Sequence, residues 1–273
     1  MIPAASIGVF DSGIGGLTVV KELFSLLPDE RIVYFGDTAR VPYGSKSVET
    51  VRRYAREDTE LLLQHQPKLI VVACNTVSAV ALDVVKSLAA GIPVVGMIEP
   101  ACKEALRLSS TGRIGIIGTE ATIASKAYET ELHSEAELSQ RKIETFAKAC
   151  PLFVPFAEEG WEDKIVAELV VREYLDSIHQ EKVDTLILGC THYPVLAKVI
   201  QHVMGNDVKL INSGAIAARE VKLLEAENSR SKPEHLFLVS DIPRKFQSIG
   251  ERFLGYDIPE TKQVVFEEAW VTI

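Results

Sequence analysis

Two stretches decide the reading: Leu69–Ala79, LIVVACNTVSA, and Thr185–Pro194, TLILGCTHYP. Each is a short run of Leu, Ile and Val that ends on a small residue and a cysteine (Cys74, Cys190), with hydrogen-bonding side chains directly behind. Runs this short and apolar on both faces suit the central strands of a parallel sheet covered by helices on both sides. A cysteine closing such a strand stands at its carboxyl end, where open α/β sheets bind ligands. Two such stretches predict two sheets, each presenting a thiol to a shared space.

Similar runs flank them. Ile7–Phe10, Ile32–Phe35, Val94–Met97, Ile114–Gly118, Ile143–Phe146, Lys209–Ile211, Leu236–Val239 and Val264–Phe266 read as further strands. Helical periodicity lies between several of them, as in Val48–Gln64 and Lys164–Gln180, and Pro100 suits the first turn of a helix. The fold class expected is α/β with doubly wound parallel sheets. Breaks near Gly96–Pro100 and Asn206–Ala215 divide the strands between two domains. The first spans residues 1–97 plus 210–273 and carries Cys74; the second spans 98–209 and carries Cys190. Both cysteines share the order strand, Cys, polar pair, helix, which suggests a duplicated unit. The charge-dense run Glu225–Glu234, EAENSRSKPE, reads as a solvated loop.

A chain of 273 residues suits two domains of ordinary size, and 47% hydrophobic with 25% charged residues is a globular composition. The net charge of −9 argues against a nucleic-acid partner, which would need a clustered basic face. No run approaches the roughly 18 apolar residues of a membrane span. MIPAASIGVF at the N-terminus has neither the charged start nor the long apolar stretch of a signal peptide, so a cytoplasmic location is expected. Of four cysteines, none forms a CxxC pair. Zinc knuckles and thioredoxin-like motifs therefore have no support, and Cys102 and Cys150 read as small buried hydrophobes.

Helix N-termini favour anions, so a helix behind each strand-end cysteine is expected to lower the thiol pKa towards neutrality. Two other strand ends carry polar turns. Phe10–Leu17, FDSGIGGL, departs from a dinucleotide fingerprint because Thr18 stands where a Gly or Ala is needed. It leaves Asp11 and Ser12 at the sheet edge. Gly36–Gly44, GDTARVPYG, follows another strand.

Taken together, DSGIGGL, DTARVPYG, ACNTVSA, GTEATIASKAY (118–128), VPFAEEG (154–160) and LGCTHYP are similar to the motifs of the cofactor-independent glutamate racemases, in that family's order. Asn212 is a departure, standing where the resemblance leads one to expect Asp. The resemblance implies two flavodoxin-like domains with the active site in the cleft between them. It implies Cys74 and Cys190 as the catalytic pair, and Asp11, Ser12, Tyr43, Gly44, Asn75, Thr76, Thr191 and His192 as substrate contacts. Asp11 is expected to tune Cys74, and His192 to tune Cys190. Asp37 and Glu158 are further candidates for the same polar network. By resemblance, Cys74 takes the proton of D-glutamate and Cys190 that of L-glutamate. No cofactor, no metal and no membrane partner are expected, and a homodimer is. An aspartate racemase of the same group, a non-catalytic amino-acid clamp and a dithiol redox protein are the rival readings.

Overall fold

The computed structural model describes residues 6–224, 233–242, 246–258 and 260–266. The strands are β1 (Ser6–Asp11), β2 (Ile32–Gly36), β3 (Pro67–Val72), β4 (Val94–Val95), β5 (Arg113–Gly118), β6 (Glu144–Ala149), β7 (Thr185–Gly189), β8 (Lys209–Asn212), β9 (Leu236–Val239) and β10 (Thr261–Gln263). The helices begin with α1 (Leu17–Leu26), α2 (Val48–Leu63), α3 (Asn75–Val80), α4 (Leu82–Ala89), α5 (Ile98–Leu108) and α6 (Glu120–Ala124). They continue with α7 (Ala127–Leu138), α8 (Phe153–Glu158), α9 (Ile165–Gln180), α10 (Ala197–Met204), α11 (Ser213–Leu224) and α12 (Phe246–Leu254).

All strand pairs are parallel and fall into two sheets, ordered β10-β9-β2-β1-β3-β4 and β6-β5-β7-β8. Within each sheet the first four strands in chain order sit as second, first, third, fourth, the doubly wound arrangement of flavodoxin-like folds. The crevice of such a sheet opens beyond the carboxyl ends of its first and third strands, because the chain leaves the first strand in opposite directions there. Cys74 follows β3 and Cys190 follows β7, the third strand of each sheet. The two thiols thus occupy equivalent places in the two halves.

Central strands read correctly because their residues are buried on both faces: β1, β2 and β7 are buried throughout. The weaker runs differ. The expected strand Val94–Met97 stops at Val95, because the Met97 N–H is taken by Ser78 Oγ at 3.1 Å and α5 begins at Ile98. The expected strand Val264–Phe266 is displaced: β10 lies at Thr261–Gln263, and of the residues after it Val264 and Phe266 pack against the buried cluster of the first half. Phe266 stacks edge-on against Phe35 at 5.8 Å. Val264 and Phe266 are half-buried and Val265 is exposed, and the Val264 N–H still donates to the Val239 carbonyl at 2.8 Å, so the alternating pattern runs on past the end of the strand. The expected domain boundary between residues 209 and 210 falls inside β8, whose four residues pair with β7 in the second sheet. Of the charge run Glu225–Glu234, residues 225–232 lie outside the described part of the chain.

An apolar seam joins the halves. Val19, Val20 and Leu23 of α1 share one buried cluster with Ala217, Ala218 and Val221 of α11 and with Leu186 and Leu188 of β7. This continuous burial holds the two crevices face to face.

Candidate active site

The β1–α1 turn, the Val41–Ser45 loop, the start of α3, the turn after β5, the α8 segment and the turn after β7 together enclose a cavity of about 310 Å³. Cys74 and Cys190 both line it, as do Ser12, Tyr43, Gly44, Asn75, Thr76, Thr191, His192 and Glu158. Asp11 does not. It is buried behind the wall, where its Oδ2 accepts from the Gly13 and Gly16 N–H groups at 3.1 and 2.9 Å.

Cys74 is the N-cap of α3 and is buried. The expectation of a lowered thiol pKa fails here. Burial chiefly, and then the nearby Asp11, push the Cys74 thiol up to about 12, against opposing hydrogen bonds from Val77 N–H, Ser12 hydroxyl and Ser12 N–H. A six-residue helix and three donors do not offset the loss of water around a sulfur anion. Those donors nonetheless mark where a thiolate would be held once formed.

Cys190 has a different setting. A 3-10 turn, Tyr193–Leu196, follows it before α10 begins, so Cys190 does not cap an α-helix as expected. Its neighbour is His192, with Nδ1 3.9 Å from Cys190 Sγ and Nε2 3.0 Å from Glu158 Oε1. Burial opposes charging this imidazole, but Cys190 and Glu158 outweigh it and push His192 up to about 10. The first half of the molecule braces this pair from outside. Arg252 of α12 donates to the carbonyls of Ala157 and Glu158, and Phe253 meets the His192 ring edge-on at 5.5 Å.

The walls approach closely at two glycines. A Cβ on Gly15 would lie 2.5 Å from His192 Cε1, and one on Gly44 2.5 Å from Thr119 Cβ. Thr18, the residue that breaks the dinucleotide fingerprint, donates across the cleft to the Thr191 carbonyl at 2.8 Å. Thr76, Thr119 and Thr122 join their hydroxyls at 2.9 to 3.3 Å across the same seam.

A family model described as Asp/Glu/Hydantoin racemase matches residues 7–221. The chain belongs to the Asp/Glu/hydantoin racemase family. It is 53% identical over 264 residues to the glutamate racemase of Chlorobaculum tepidum, covering 94% of this chain and 95% of that protein. Among solved structures it is similar to the glutamate racemase of Francisella tularensis in complex with D-glutamate (TM-score 0.88, 42% identity, 95% of this chain and 97% of that one). It is likewise similar to that of Thermus thermophilus in complex with beta-chloro-D-alanine (TM-score 0.85, 44% identity, 97% and 98%).

In this chain the sequence reading named half of the residues that line the cavity and missed the rest. Thr119, Glu120, Pro151, Val154 and Pro155 also line the cavity. Four of these lie in the stretches GTEATIASKAY and VPFAEEG, so their motifs were visible although no residue in them suggested acid–base chemistry. Asp37 stands outside the wall: the Tyr43 hydroxyl lies between it and Asp58. Asn212 keeps the helix-capping geometry that Asp would supply, its Oδ1 accepting from Gly214 and Ala215 N–H at 3.1 and 3.2 Å. All four cysteines are free thiols. Among the described residues no group of three or more His, Cys, Asp or Glu side chains has the arrangement of a metal site, and no helix is long and apolar enough to cross a membrane.

Proposed function

We propose that the chain is a glutamate racemase, interconverting L- and D-glutamate with Cys74 and Cys190 as the two acid–base groups. One observation carries the reading: thiols from the third strands of separate sheets line a single cavity of about 310 Å³. Inverting an α-carbon requires removing a proton from one face and returning one to the other. Two groups on opposed walls can do this.

In the L-to-D direction Cys190 begins as the thiolate, with the His192 imidazolium beside it, and Cys74 begins as the thiol. The Cys190 thiolate takes the α-proton, the electron pair remains on the α-carbon and its carboxylate, and the Cys74 thiol returns a proton to the far face. The reverse direction exchanges the roles. The α-proton of an ammonium acid is far less acidic than a thiol, so the carbanion-like state needs fixed donors in a site shielded from water. Ser12, Asn75, Thr76 and Thr191 supply neutral donors at the wall. A dicarboxylate can thus be held by an acidic protein without an arginine cluster.

The names of the relatives support glutamate over aspartate. Family membership supports supply of D-glutamate for peptidoglycan, a cytoplasmic setting and a homodimer, for which sedimentation of the purified chain is the direct test.

The decisive experiment incubates purified protein with each glutamate enantiomer in D2O, without added cofactor, alongside aspartate. Optical rotation should decay to zero with deuterium entering Cα for glutamate. Cys74→Ala and Cys190→Ala should each lose turnover by at least about a thousandfold, as removal of a reacting acid or base does. Wild-type turnover in either variant would end the two-thiol assignment, and preference for aspartate would end the substrate assignment.

A further inference from the structure

Asn75, at the first position of α3, has one half of its amide hydrogen-bonded and the other half unpaired. The Tyr128 hydroxyl lies 2.6 Å from Asn75 Oδ1 and Ser213 Oγ lies 3.3 Å from it. Asn75 Nδ2 is buried with no hydrogen-bond partner among the described residues, and Asn75 lines the cavity. The two ends of a primary amide have nearly the same shape and opposite hydrogen-bonding character. Which end faces a ligand is therefore decided by the groups behind it.

Counting protons identifies that group. Ser213 has one hydroxyl proton and a closer acceptor than Asn75, the Leu188 carbonyl at 3.0 Å. With its proton committed there, Ser213 can only accept, and an acceptor would draw the amide nitrogen inward rather than hold the carbonyl. Tyr128 is the donor that remains. Burial pushes its hydroxyl well above the ordinary value, which keeps the proton in place. Tyr128 stands on α7 of the second half and Asn75 on α3 of the first, so this bond exists only where the halves meet.

We propose that Tyr128 is a positioning residue for substrate: by donating to Asn75 Oδ1 it turns the Asn75 amide nitrogen towards the cavity, where its N–H groups meet a carboxylate of the amino acid. This rests on the reading of the cavity as the glutamate site. Without the tyrosine hydroxyl the amide is free to present its oxygen to that carboxylate, exchanging attraction for repulsion.

The test is Tyr128→Phe, which keeps the ring and removes only the donor. KM should rise about tenfold or more for both enantiomers while kcat stays within about threefold, the pattern of lost uniform binding to a charged group. D-Glutamate affinity by calorimetry should fall in parallel. In an Asn75→Ala background the same substitution should change affinity by less than about twofold, because nothing is left to orient. An unmoved KM in Tyr128→Phe, or an equal loss of affinity in the Asn75→Ala background, would overturn the assignment. Ser213→Ala keeps it testable should Tyr128→Phe not fold. Its melting temperature should fall, since the Leu188 carbonyl loses its partner, with KM within about twofold of wild type. A tenfold rise there would give the orienting role to Ser213 instead. Wild-type turnover of glutamate separates the two levels: its absence refutes the functional reading, and its presence with an unmoved Tyr128→Phe refutes this inference alone.

Discussion

His192 shows how one buried group can carry both function and pH dependence. Its pKa rises from 6.5 to about 10 on folding, because Cys190 and Glu158 outweigh the burial that opposes its charge. A group whose folded pKa is raised contributes stability that is fully present below its unfolded pKa and is lost as pH climbs to the folded one. The stability difference between wild type and His192→Gln should thus be largest below pH 6.5 and shrink steadily towards pH 10. Thermal unfolding of both proteins across this window is the measurement. A difference independent of pH would mean that His192 is not charged in the folded protein. Cys74 shows the opposite balance, since its surroundings disfavour the anion.

The segment from Asp37 to Ser45 is held by Arg40. Its guanidinium reaches the buried carboxylates of Asp37 at 2.5 Å and Asp58 at 2.9 Å, pairs with Glu57, and lies 4.2 and 4.4 Å from the centres of the Tyr54 and Phe266 rings. The same two carboxylates flank the hydroxyl of Tyr43, whose neighbour Gly44 also lines the cavity. Arg40→Met would leave both carboxylates buried without a cation. Removing one partner from a buried ionic cluster costs about 3–5 kcal/mol, and the loss should appear in urea unfolding as a lowered midpoint. It should be smaller under acid conditions, because protonated carboxyls need no counter-charge. Equal stability of the two proteins at neutral pH would show that Arg40 does not hold this segment.

Catalysis in the proposed scheme depends on the separation of the two halves, which the glycine contacts set. Gly44→Ala places a Cβ 2.5 Å from Thr119 Cβ, a distance no pair of carbons tolerates, so the walls must part. Misplacement of reacting groups by about 1 Å costs on the order of a hundredfold in rate. Gly44→Ala should therefore lower kcat/KM for glutamate by about that factor, with little change in melting temperature, since the contact lies at the cleft and outside the apolar clusters. Turnover equal to wild type would mean that the cleft spacing is set elsewhere.

The sequence alone determined what is local. Runs of Val, Ile and Leu apolar on both faces fixed the central strands and hence the parallel sheets, and a cysteine closing each of two such runs placed both thiols at ligand-binding edges. Recurring motifs named most of the cavity wall. Where an apolar alternation continues past the end of a strand, as at Val264–Phe266, pattern could not place that end. Tertiary structure alone decided the electrostatics. Asp11 is adjacent to Ser12 in the chain yet sits behind the wall, and the thiol of Cys74 rises because water is excluded around it, whereas a motif suggests only the helix behind it. The partnership of Asn75 with Tyr128, and of His192 with Glu158, joins residues far apart in the chain. The first pair forms only when the two halves are brought together, and the second only when α8 folds against the turn after β7, so no spacing within a motif encodes either.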